Sequence, residues 1–147
     1  MAPLLQIVIL VQSISANLIS PSLVFDSSSQ LGGSYPASNL VDGIVSEGVG
    51  INKAGCFQSN TELNPWVKIY LNQPEIVRTI MVNDNHSYQM LNPTTVSVST
   101  DDATWTECVG LLGPGIYECY VSVRGSIVRI QHQGTDSLRI CEMKLYS

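Results

Sequence analysis

Four cysteines, Cys56, Cys108, Cys119 and Cys141, constrain this chain more than any other feature. An even set in a short chain means bridges in an oxidising compartment and free thiols in a reducing one. The leader chooses between them. Met1 to Ala16 holds the apolar run Leu4-Leu5-Gln6-Ile7-Val8-Ile9-Leu10-Val11, followed by the small residues Ser13, Ser15 and Ala16. That is the anatomy of a secretory signal cut after Ser15 or Ala16, although no Lys or Arg precedes the run. The run is shorter than the roughly 20 apolar residues that span a bilayer. The expectation is therefore a signal peptide over residues 1–16, a secreted domain over 17–147, and two disulfides. Spacing alone leaves three connectivities open.

Charge narrows the partners. The net charge is −5, with only seven Lys and Arg, scattered along the chain. Nucleic acid calls for a clustered basic face and is not expected. Binding to an anionic bilayer is not expected for the same reason, nor is membrane insertion.

Turn signals recur at Gly32-Gly33, Asn64-Pro65, Asn92-Pro93, Gly113-Pro114-Gly115, Arg124-Gly125 and Gly134. Short β-rich runs lie between them: Trp66 to Leu71, Ile76 to Val82, Val96 to Ser99, Ile127 to Gln131 and Ile140 to Tyr146. Alternation at this spacing predicts an all-β antiparallel sandwich or barrel. No segment sustains a 3.6-residue apolar period, so helices should be minor. Trp66 reads as a core residue because large aromatics after turns bury area. Asp101-Asp102 reads as a turn, with Trp105 packed against the sandwich.

Several segments then fall in a telling order. They are Ser38-Asn39-Leu40-Val41-Asp42-Gly43, Cys56, Asn64-Pro65-Trp66-Val67-Lys68-Ile69-Tyr70-Leu71, Val123-Arg124-Gly125-Ser126-Ile127-Val128-Arg129-Ile130 and Leu138-Arg139-Ile140-Cys141-Glu142-Met143-Lys144-Leu145-Tyr146. Jointly they resemble the F-type lectins (fucolectins), a secreted branch of the discoidin-like, galactose-binding-like β-sandwiches of jelly-roll type. The resemblance implies that Cys56 joins Cys141 and Cys108 joins Cys119. It also implies a structural calcium held at the positions of Asn39, Asp42, Ile44, Gly55, Cys141 and Glu142. A hard cation wants six to eight oxygens, many of them carbonyl, and Ile44 and Gly55 can offer only backbone oxygen. Without the ion, Asp42 simply closes an Asx-type turn before Gly43.

The family's fucose site uses a His and an Arg-x-Asp-x4-Arg loop, whose charged groups grip sugar hydroxyls. This chain departs at each position. Gln58 stands for the His, Asn83-Asp84-Asn85 for Arg-x-Asp, and Met90 for the second Arg. Losing two cations and an anion removes roughly 3–6 kcal/mol. A micromolar site would then fall toward millimolar. No arginine neighbours this loop in sequence. Asn85-His86-Ser87 is also a glycosylation sequon. Phe57, Tyr88, Met90 and Leu91 could cluster at the loop end, but scattered apolar residues need no function.

His86 and His132 lack metal-ligand partners at zinc spacing and read as surface or hydrogen-bonded histidines. Arg124 reads as capping a loop or meeting a carboxylate. No nucleophile, base and orienter set is visible, so an enzyme is not expected. The sequence reading is a non-enzymatic, lectin-like module for a glycan or glycoprotein, with Gln58, Asn83, Asp84, Asn85 and Met90 on the ligand face. Multivalency makes a homo-oligomer compatible with that role. The other reading is a lectin fold that has lost sugar binding and serves as a structural or protein-interaction component of a matrix, coat or cell surface.

Overall fold

The computed structural model describes residues 17–42, 55–83 and 94–147. Strand β1 (Pro21–Ser27) is followed by a 3-10 turn (Ala37–Val41) and two short strands, β2 (Phe57–Gln58) and β3 (Glu62–Leu63). Then come β4 (Trp66–Asn83), β5 (Thr94–Ser99), β6 (Thr106–Leu111) and β7 (Gly115–His132). The chain closes with β8 (Thr135–Asp136), β9 (Arg139–Ile140) and β10 (Glu142–Tyr146). The antiparallel sandwich expected from alternation is what forms.

Two of the expected runs are one strand. β4 passes from Trp66 to Asn83 and shifts register against β7 between Tyr70 and Glu75, at Asn72-Gln73-Pro74. Its first half lies between β1 and the C-terminal half of β7, with β5 and β6 beyond. Its second half lies between β10 and the N-terminal half of β7. The bent strands β4 and β7 thus serve both layers. Both ends of β4 arrive at one pole, beside the end of β6 and the start of β7.

Period-2 alternation fills the space between layers. Val67, Ile69, Val96, Val98, Val128 and Ile130 come from the front layer, and Val77, Ile80, Val82, Met143 and Leu145 from the back. Burying each such side chain contributes about 1.5–3 kcal/mol. The expected break at Arg124-Gly125 is not a turn. Gly125 is buried inside β7, where a Cβ would stand 2.5 Å from Val98 Cγ1 and 2.7 Å from the Ser99 carbonyl oxygen. Glycine is there because two strands touch. Arg124 is exposed and meets no carboxylate among the described residues.

Trp66 is not in the core. Alternation puts it outward with Lys68 and Tyr70 while Val67, Ile69 and Leu71 point in. The Lys68 ammonium lies 4.5 Å from the Trp66 ring centre and 5.6 Å from that of Trp105, and the Arg129 guanidinium sits 4.1 Å over Trp105. Lys68 also pairs with Asp102 at 2.8 Å. The hairpin between β5 and β6 therefore folds over the front layer and seals its outer surface. Asp101 builds that hairpin as expected, its Oδ1 accepting the N–H groups of Ala103 and Thr104 and the Ser99 hydroxyl. These bonds, the Thr104 N–H first, hold its carboxyl down at about 2. Burial lowers the pKa of Arg129, and Asp102 partly opposes that shift.

Both bridges implied by the resemblance are present. Cys56–Cys141 closes 85 residues and Cys108–Cys119 closes 11. The latter ties β6 to a bulge in β7, where residues 119–122 stand against Arg78. At the opposite pole Ser147 donates its N–H to the Asn17 carbonyl at 2.9 Å, so the two ends of the described domain are hydrogen-bonded to each other. No helix among the described residues is long and apolar enough to cross a membrane.

Candidate functional site

The pole that receives both ends of β4 gathers the described part of the expected site. β2 pairs with β9, setting Phe57 opposite Ile140 and Gln58 opposite Arg139. Phe57 and Ile140 are wholly buried in the core, so Phe57 is not a surface apolar group. Gln58 and Arg139 therefore share the other side of this ribbon. The Gln58 amide donates to the Ser137 hydroxyl at 3.2 Å, and that hydroxyl donates to the Ser59 carbonyl at 2.6 Å. Gln58 is thus half-buried and held in place by a serine relay.

One residue further, the chain switches partners. β9 ends, Cys141 donates its N–H to the Asn83 carbonyl at 3.0 Å, and β10 begins with Glu142 opposite Asn83. The Cys56–Cys141 bridge therefore stands between the strand that carries Gln58 and the strand end that carries Asn83. Asp84, Asn85 and Met90, together with His86, Tyr88 and Leu91, lie outside the described residues, as does the leader 1–16.

Beneath this face lie two charged side chains, Arg139 and Glu142, each only 2% exposed. Along the chain no arginine neighbours Gln58. The fold brings Arg139 in from 81 positions away (139 minus 58), directly across from Gln58. The readable signal was a charged residue on either side of an apolar-cysteine pair, Arg139-Ile140-Cys141-Glu142.

The expected calcium positions also converge where they are described. Asn39, in the 3-10 turn, donates its amide to the Cys56 carbonyl at 2.9 Å, next to Gly55. Asp42 ends that turn, and Val41 beside it lines one groove with Glu142. Cys141 can contribute only backbone oxygen, because its sulfur is in the bridge. Among the described residues no three His, Cys, Asp or Glu side chains form a metal cluster. The donor set is instead two carboxylates, an amide and carbonyls, all oxygen, which fits a hard cation. Ile44 is outside the described residues.

His132 is buried, and its Nδ1 lies 3.1 Å from the Thr94 hydroxyl, so it is a hydrogen-bonded core histidine as expected.

No family model and no curated protein matches the sequence. Solved structures do match this geometry. A fucolectin from the serum of striped bass (Morone saxatilis) superposes with a TM-score of 0.73 at 21% identity, over 90% of this chain and 49% of that one. A Streptococcus pneumoniae fucose-binding module gives 0.72 at 11% identity, over 89% and 95%. The lectin-binding domain of lectinolysin, as a histidine mutant in complex with Lewis b, gives 0.66 at 16% identity, over 84% and 90%. This chain spans about half of the bass protein and nearly all of the two single modules. Its architecture is that of the F-type lectins and discoidin-like binding modules.

Proposed function

We propose that this protein is a secreted, non-enzymatic glycan-recognition module whose fucose-type site has been rebuilt. The support is the convergence at one pole of Gln58 and Asn83 over the Cys56–Cys141 bridge, in a fold whose solved neighbours are fucose-binding and Lewis b-binding modules. Gln58 offers neutral hydrogen bonds of about 0.5–1.5 kcal/mol each, against roughly 1.5–3 for a charged donor. Weak single-site affinity with altered specificity follows. Asp84, Asn85 and Met90 complete the ligand face in this reading.

A structural calcium belongs to the same proposal. Asn39, Asp42, Ile44, Gly55, Cys141 and Glu142 would hold it. The ion would clamp the 3-10 turn onto the start of β10 and so fix the floor under Gln58. The chain's own residues supply every contact to sugar.

A glycan array run with calcium and with chelator tests both parts. Binding to defined sugars that chelator weakens is the expected result. The loss of the family's histidine at Gln58, and the sequon in the same face, favour the protein-interaction reading as the rival. Silence across the array, with retained binding to a matrix extract, would establish that rival.

A further inference from the structure

The two outer surfaces of the sandwich differ. The front one is sealed by Trp105 and its cations, whereas no described residue covers the back one. That back surface is a grid set by register. Lys144, Met81 and Ile116 form one row across β10, β4 and β7, and Tyr146, Thr79 and Glu118 form the next. Tyr120 stands at the margin of this face, at the β7 bulge that breaks the pairing between Thr79 and Val77, and its hydroxyl accepts the Gly110 N–H of β6 at 3.2 Å. Ile116 is 74% exposed and Tyr120 69%. Met81, Tyr146 and Lys144 are partly exposed, and the face offers on the order of 300 Å² of apolar surface, the scale of the largest patch on a typical monomer.

We propose that this face is where two copies of the chain associate about a two-fold axis. The charges favour a second copy over an unrelated partner. Lys144 and Glu118 carry opposite signs on the same face, and neither has an ion-pair partner among the described residues. They sit two strands apart, about 10 Å across the sheet and one row out of step, too far to pair within one copy. A two-fold axis along β4 lays β10 of one copy over the N-terminal half of β7 of the other. Lys144 then stands over Ile116 of the second copy, within reach of its Glu118, and the same pair forms again by symmetry. An isologous contact requires such self-complementarity. Two such faces with their charged rims would bury on the order of 1,000 Å², a small interface. Each copy keeps its own Gln58 and Asn83, so the dimer would present two recognition poles.

Sedimentation equilibrium on the secreted chain, with no sugar added, tests the idea independently of the glycan reading. A concentration-dependent dimer is expected. Ile116→Glu should weaken it at least tenfold while the near-ultraviolet circular dichroism stays unchanged. Glu118→Lys and Lys144→Glu should each weaken it by about tenfold, and the double reversal should recover most of that loss. If Ile116→Glu does not fold, the charge series decides alone. A wild-type chain that remains monomeric at about 100 μM, well above a micromolar dissociation constant, overturns the proposal. So does a dimer that ignores the charge reversals.

Discussion

The two disulfides divide the labour of the molecule unequally. Cys56–Cys141 is almost fully buried, closes 85 residues and sits between the strand carrying Gln58 and the end of β4. Cys108–Cys119 closes 11 residues at a sheet margin, and Cys119 is partly accessible. The first joins the candidate recognition pole to the rest of the fold. The second fastens a hairpin whose strands already meet through β5, β4 and the core. Equal chemistry therefore has unequal reach, because what a bridge organises depends on where its ends lie.

Breaking each bridge should expose this difference. Replacing Cys56 and Cys141 by Ala is expected to cost about 4–5 kcal/mol by loop-closure entropy, seen as a shifted urea midpoint, and to abolish any ligand binding. Replacing Cys108 and Cys119 should cost about 3 kcal/mol and leave binding within a factor of two or so, because the pole is held elsewhere. Graded reductant sharpens the contrast. Cys119 should label with iodoacetamide before Cys56 or Cys141, since thiol exchange needs access. Mass mapping that found the buried pair opening first would refute this assignment.

Two smaller effects probe the region on the short bridge's side of the molecule. Gly125→Ala should cost about 1–3 kcal/mol through its clash with Val98 and the Ser99 carbonyl, read from thermal melting. The smallest effect is a pH dependence at Asp101. Its folded pKa is depressed to about 2, so its contribution is complete above the ordinary carboxylate value near 4 and is lost as pH falls toward 2. Amide exchange at Ala103 and Thr104 should accelerate over that window. Asp101→Asn should remove the pH dependence, and neither change should reach Cys56–Cys141.

Much of the frame was legible in the chain. Strand alternation placed the core of both layers, and the resemblance implied the pairing of all four cysteines. Three positions read differently in the structure, one for a local reason and two for longer-range ones. Trp66 was judged by its size, although the Trp66-Val67-Lys68-Ile69 alternation already put it outside with Lys68. Gly125 looked like a turn, because a contact with Val98 from another strand leaves no mark in local sequence. Arg139 went unnoticed because its neighbour Gln58 is close only across a two-residue ribbon. Of the expected ligand face, Gln58 and Asn83 lie on either side of the long bridge. Asp84, Asn85 and Met90 lie in a segment whose short-range pattern is polar and turn-rich, which supplies no alternation to read.

The hydrogen bond from Ser147 to Asn17 has a practical corollary. A fold in which Asn17 and Ser147 touch can be grafted through them into a host protein's loop with little strain, or cut open elsewhere and rejoined across that junction. Because the seam lies at the pole away from Gln58, such a graft would leave Gln58 and Asn83 at the end far from whatever carries them.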